Sequence, residues 1–336
     1  MCREMATTNV LTKEKQILAE LERLVQETYT LWDEEWVGFS WRNYTFDHVQ
    51  RVRRLAVALA QQEGGNTRVL EFAALLHDLT KSYDGEIIMR DGKRVLDENG
   101  FWLNETLPPA RMNRVTELYD RLGLVGTVHS ISGARIATHL LREYGFDQPF
   151  LDHVAEIIHS HLKVTERSSL EGRCIYDADT IDANIGLPAF YRNIQITMHR
   201  MEQQFAREGR ALDAYLQEQL QGYLSGYLGE RIPAWNDGKR NDFVPRLTTE
   251  AGRACALARV ERLAAEVQAM QGELADFDRA VEHGRLAIVR YFMLNRRNPS
   301  LAAQLRYLTE EWAPAHADAG ADELLAKFQA ECAGEC

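Results

Sequence analysis

The chain has 336 residues, 45% of them apolar and 26% charged, with a formal net charge of −11. That balance belongs to a globular protein built as one large domain, or as a main domain with an appendage. Its acidity argues against a sequence-independent nucleic-acid surface, which needs clustered Lys and Arg, but leaves room for a local basic pocket that takes a small anion. No apolar run approaches the roughly 18 residues that span a bilayer, and MCREMATTNVLTKEKQ lacks the charged-then-apolar pattern of a signal segment. A cytoplasmic location with no membrane partner is expected. The five cysteines (Cys2, Cys174, Cys255, Cys332 and Cys336) are scattered and odd in number, which does not suggest a disulfide framework.

Helical periodicity dominates from the start. Residues 11–34 place Ile17, Leu18, Leu21, Leu24 and Val25 on one face, opposite charge. FDHVQRVRRLAVALAQQ (46–62) repeats the pattern and stops at Gly64-Gly65, where helix propensity collapses. A third helix is predicted over 67–81. EIIMRDGKRVLDENG follows, with an Asp91-Gly92 turn between short apolar stretches, a β-hairpin pattern. Together with FWLNETLPPARM it forms an excursion of about 40 residues, longer than most connections in compact domains and more typical of a functional lid. Helices resume at 130–144 and 151–162. The stretch from Glu166 to Ile194, ERSSLEGRCIYDADTIDANIGLPAFYRNI, is expected as a loop leading into another helix. Residues 194–229 read as helix, and RIPAWNDGKRNDFVPR (231–246), with Pro, Gly and Asn, reads as a linker. Residues 249–295 predict one long helix or a helical hairpin, followed by an Ala-rich end. Apart from the excursion, the chain is expected to be all-α.

Ten histidines require sorting by face. His77 and Asp78 close the apolar run FAALLHDLTK; adjacent residues on a helix point about 100° apart, so both reach one cation only along the flank between them. Asp78 could then bridge to a second cation. Lys81 shares their face and is placed to hold an anionic group. His48 heads the stripe of Val52, Leu55 and Leu59, where a hydrogen-bonded core histidine is the ordinary use. His129 opens HSISGARIATHLL, whose Gly133 and Ala134 permit close helix approach. His159 is read on the face of Ala155 and Ile158; His161 joins it only if the helix ends there, and is kept as a candidate either for supporting a ligand from outside or for touching substrate. YDADTID supplies Asp177, Asp179 and Asp182, which helix capping alone could explain one at a time.

In order, His48, the pair in AALLHDLTK and an aspartate in EGRCIYDADTIDANIG resemble the HD superfamily of metal-dependent phosphohydrolases, over about residues 40–195. The resemblance implies an HD-type helical bundle. It implies one cation held by His48, His77, Asp78 and Asp179, the last by its place after the alanine. Members with two further histidines hold a second metal bridged by the first aspartate, and His129 and His159 stand in that order. The resulting division is a catalytic domain at 1–230 (core 40–195, insertion 84–126), a linker at 231–246 and a helical C-terminal extension at 247–336.

Mixed imidazole and carboxylate ligation suits Mn, Fe, Ni, Co or Zn better than Mg or Ca. The leading expectation is hydrolysis of a nucleotide or other phosphate ester by a metal-activated water. In it Lys81 stabilises charge and His161 protonates the leaving oxygen, as the two catalytic residues. The rival is the oxygenase branch of the superfamily, where the same ligands hold two irons and dioxygen oxidises a small organic or phosphonate substrate. The third reading is a non-catalytic helical sensor or scaffold. The C-terminal helices could also serve as a homodimer interface. The insertion is expected to cover the site and set the substrate.

Overall fold

The structure, a computed structural model, describes residues 2–33, 36–37, 40–41, 44–96 and 103–336. The chain folds as two compact units, Met1–Tyr176 and Asp177–Cys336, the division falling within one helix, Leu170–Asn184. Among the described residues it is predominantly helical with three small two-stranded sheets, two of them in the β excursion that the sequence predicts within an all-α architecture and one ahead of it. Among the described residues no helix is long and apolar enough to cross a membrane.

In the first unit, helix α1 (Cys2–Thr28) buries Ile17, Leu18, Leu21 and Val25. A short pair, β1 (Trp36–Val37) and β2 (Ser40–Trp41), precedes α2 (Tyr44–Glu63). Helix α2 buries Val52, Leu55 and Leu59 and stops at Gly64, whose φ of 80° is open to glycine and costly for other residues. Helix α3 (Thr67–Leu76) starts at Asn66, whose side chain accepts from Val69 N–H, and every residue from Val69 to Leu76 except Glu71 is buried.

Helix α3 ends five residues earlier than the periodicity suggests. The chain tightens into i→i+3 bonds, Lys81 N–H to Asp78 O at 2.9 Å and Tyr83 N–H to Thr80 O at 3.0 Å. The excursion then begins as β3 (Asp84–Ile87), continues through the hairpin β4 (Met89–Arg90) and β5 (Lys93–Arg94), and returns as β6 (Asn104–Thr106), antiparallel to β3 with Asp84 opposite Thr106. Asp91 and Gly92 both have positive φ, 52° and 73°, as a two-residue hairpin turn requires. Part of the excursion, 97–102, lies outside the described residues. A capping box of Asn113 and Thr116 opens α4 (Arg114–Arg121). Helices α5 (His129–Glu143) and α6 (Gln148–Ser160) pack on each other and on α3.

Helix α7 (Leu170–Asn184) contains YDADTID in its middle and not at its start. The loop expected there is absent from 170 onward, so these aspartates do not cap their own helix. In the second unit, α8 (Leu187–Arg207) and α9 (Leu212–Gly226) are separated by Gly209, φ 70°. The segment 231–246, expected as a linker, is helical: α10 spans Ile232–Asp242. Pro233 sits in its first turn, where a missing N–H costs no intrahelical bond. Helices α11 (Glu250–Glu273), α12 (Phe277–His283) and α13 (Arg285–Leu294) realise the long amphipathic stretch in broken form. Helices α14 (Leu301–Tyr307), α15 (Ala313–His316) and α16 (Ala319–Cys332) finish the chain. Cys255 and Cys336 form a disulfide that scattered spacing did not suggest.

Candidate metal centre

Four chain segments of the first unit bring imidazoles together around Asp78. The end of α3 supplies His77 and Asp78 themselves. Tyr29, at the end of α1, donates its hydroxyl to Asp78 O at 2.6 Å and fixes the turn that carries the pair. The start of α5 supplies His129 and is locked against that turn. Thr80 Oγ1 donates to His129 O at 3.1 Å and lies 2.8 Å from Ser132 Oγ. A Cβ at Gly133 would sit only 3.3 Å from His77 O, so the small residue permits this approach. Helix α2 supplies His48, and the end of α6 supplies His161.

All five side chains are buried: His77 fully, Asp78, His48, His129 and His161 at 7% exposure or less. They are arranged around the two oxygens of one carboxylate. Asp78 Oδ2 lies 4.0 Å from His48 Nε2 and 3.7 Å from His77 Nε2. Asp78 Oδ1 lies 3.5 Å from His129 Nε2 and 3.6 Å from His161 Nε2, and those two nitrogens are 3.3 Å apart. Donor atoms about 2.1 Å from a common ion stand about 3.0 Å apart in an octahedron and about 3.4 Å apart in a tetrahedron. The Asp78, His129 and His161 atoms match that spacing.

Hydrogen bonding fixes the tautomers. Nδ1 of His77 is 2.8 Å from Ala74 O, and Nδ1 of His161 is 2.5 Å from Ile158 O. Carbonyl oxygens only accept, so each Nδ1 carries the proton. Nδ1 of His129 lies 2.8 Å from Asp84 Oδ2, which likewise accepts. In the neutral imidazoles the Nε2 lone pairs therefore converge on a carboxylate, an arrangement that repels itself unless positive charge lies between. Imidazole nitrogen with carboxylate oxygen is the donor set of Mn, Fe, Co, Ni or Zn. The residues fit such an ion, and Asp78, His129 and His161 form a group that could hold one. With the imidazoles protonated instead, His77, His161 and His129 and the Lys81 ammonium outweigh the opposing effect of burial and hold the Asp78 carboxyl well below the usual carboxylate range.

Helix α6 corrects one expectation. His159 is exposed and does not join the cluster, whereas His161 does. The buried face of α6 runs through Leu151, Val154, Ile157 and Ile158, and the next positions on that face are 161 and 162. The structure thus places His161, and not His159, in the cluster around Asp78. Among the aspartates of α7, Asp177 is committed elsewhere. Its carboxylate accepts from the backbone N–H groups of Thr248 and Thr249, at 2.8 Å each, and from the Thr249 hydroxyl at 2.6 Å. Asp179 is half-buried on the same helix.

A cavity of about 300 Å³ adjoins the cluster and is lined by Lys81, Asp84, Asn104, Tyr119, His129 and Lys163, among others. Strand β6 of the excursion forms one of its walls. Lys81 Nζ is 3.3 Å from Asp84 Oδ2, with its side chain 39% exposed. Asp84 was not singled out by sequence reasoning; its only signal is the i,i+3 spacing from Lys81.

Residues 45–184 match the family model of the HD domain. Among solved structures, the chain is similar to a predicted HD superfamily hydrolase from an uncultured Thermotogales bacterium. Identity there is 22%, over 76% of this chain and 91% of that one, with a TM-score of 0.41. It is also similar to YpgQ of Bacillus subtilis, crystallised with ADP, at 18% identity over 78% of this chain and 96% of that one, TM-score 0.37. No curated protein sequence matches it.

Proposed function

As this chain belongs to the HD superfamily through residues 45–184, we propose that it is a metal-dependent hydrolase cleaving a small phosphate ester or nucleotide at a two-cation centre. The observation that carries the proposal is the division of Asp78: each carboxylate oxygen faces its own pair of imidazole Nε2 atoms. His48, His77 and Asp78 would hold one cation, with Asp179 assigned to it by its place after the alanine in DADTID. Asp78, His129 and His161 would hold the second.

Cations in such a site lower the pKa of a water toward neutrality and neutralise phosphoryl oxygens. The chain itself supplies the rest. Asp78 keeps both ligand sets in one frame, and the hydrogen bonds to Ala74 O, Ile158 O and Asp84 hold each imidazole in its ligating tautomer. Lys81 and Lys163 bring positive charge to the cavity wall, where an anionic substrate would sit. The wall contributed by β6 excludes solvent from one side.

Elemental analysis of the purified protein, paired with a phosphatase and phosphodiesterase panel under added Mn, Fe, Ni or Co, tests the reading. Close to two metals per chain with phosphate release and no oxygen demand is the expected result. Iron with substrate-dependent oxygen uptake would replace hydrolysis by oxygenation. A folded, metal-free protein with no turnover would make the cluster a binding or scaffold feature.

A further inference from the structure

We propose that Asp84, the first residue of the excursion, is a positioning residue of the metal centre, so that the excursion holds a metal ligand in place as well as walling the cavity. This rests on the two-cation reading above. His129 is gripped at both ring nitrogens: Nε2 faces Asp78 Oδ1 at 3.5 Å, and Nδ1 donates to Asp84 Oδ2 at 2.8 Å. The two carboxylates lie on opposite sides of the ring. Asp84 therefore acts through His129 and does not share its ion.

Lys81 completes the arrangement, with Nζ 3.3 Å from Asp84 Oδ2. Nζ also lies 3.4 Å from His129 Nδ1. Nδ1 cannot accept from an ammonium while its proton points at Asp84, so the carboxylate is the partner of both groups. A carboxylate holding the far nitrogen of a ligating histidine fixes the ring's orientation and raises its basicity.

What places Asp84 is strand pairing. Asp84 sits opposite Thr106, and Leu107 N–H bonds to Tyr83 O at 2.9 Å immediately beside it. A Cβ at Gly85 would stand 2.7 Å from Glu105 O, so only glycine lets β6 come this near. The backbone that bears Asp84 is thereby fixed by a strand some twenty residues on, and not by the helix end that bears His77 and Asp78.

The test is Co²⁺ titration of the full chain, read by visible absorption and by competition with a chelator. Asp84→Asn, isosteric and still folded by circular dichroism, should weaken Co²⁺ binding by roughly 10- to 100-fold and change the absorption envelope. Asp84→Glu should recover part of that loss. In a His129→Ala background, Asp84→Asn should add less than about a twofold further loss, because the group it positions is gone. Unchanged affinity and spectrum in Asp84→Asn, or an undiminished loss in the His129→Ala background, would overturn the proposal. If wild-type protein takes up no Co²⁺, the two-cation reading itself fails, a result distinct from either.

Discussion

His161 Nε2 stands 3.6 Å from Asp78 Oδ1, at the point where α6 ends and the chain turns away. Its other nitrogen is tied to Ile158 O, so the ring cannot rotate without losing a bond. His161→Ala is therefore expected to remove one metal equivalent and to lower turnover by at least about 100-fold, beyond the loss from removing an outer hydrogen-bond partner. His159→Ala, two residues earlier and exposed, should stay within about twofold. Elemental analysis and turnover measured on both variants check this; equal effects would contradict the assignment.

The order His48, His77-Asp78, His129 was legible because each sits where apolar periodicity aims it inward. The turn at Asp91-Gly92 and the stop at Gly64 were legible because glycine chemistry is local. The face of α6 was misread because two histidines two residues apart compete for one face. Only the full buried row, Leu151 through Ile158, decides between them. Pro233 suggested a linker although proline also begins helices. Asp177 looked like a cap for its own helix, whereas its carboxylate holds Thr249, the residue that caps α11, some seventy residues away. Asp84 was invisible because its role comes from pairing with Thr106, a relation no local pattern encodes.

Gly85 offers a second check on the excursion. Adding a methyl there would place it against the Glu105 carbonyl, which is backbone and cannot rotate away. Gly85→Ala should separate β3 from β6 and cost about 1–3 kcal/mol in urea unfolding. A variant as stable as wild type would show that β6 need not approach so closely.

In the second unit, Glu202 joins two guanidinium groups, 2.6 Å from buried Arg296 and 3.0 Å from Arg297. Burial raises its carboxyl, but the hydrogen bonds and charges of Arg297 and Arg296 outweigh that and hold it below the usual range. A carboxyl depressed in the folded state contributes stability that is complete above its unfolded pKa of about 4.3. That contribution disappears as pH falls through the folded value. Glu202→Gln should therefore lower unfolding free energy by roughly 1–3 kcal/mol at pH 7, with the gap to wild type closing in acid. Urea unfolding at neutral and acidic pH measures it, and a gap of constant size would refute the linkage.

The disulfide between Cys255 on α11 and Cys336 at the chain end closes a loop of sequence separation 81. The same end is held by polar contacts. Arg259 donates to Glu335 O at 2.6 Å, and Arg262 donates to Cys336 O at 2.7 Å and to the buried Glu331 carboxylate at 2.7 Å. These bonds keep α16 in register with α11 when the sulfurs are parted, so reduction should leave the fold in place but less stable. A loop of this length carries a chain-entropy contribution of about 4.5 kcal/mol, and native disulfides typically deliver about 2–4 kcal/mol. Cys255→Ser, Cys336→Ser and the double variant should each lose that same amount, since each removes one bond, and a reductant should bring wild type to the same level. Unfolding free energies of the four proteins, with and without dithiothreitol, make the comparison. Wild type insensitive to the reductant would mean that the polar contacts, and not the sulfur bond, hold the chain end.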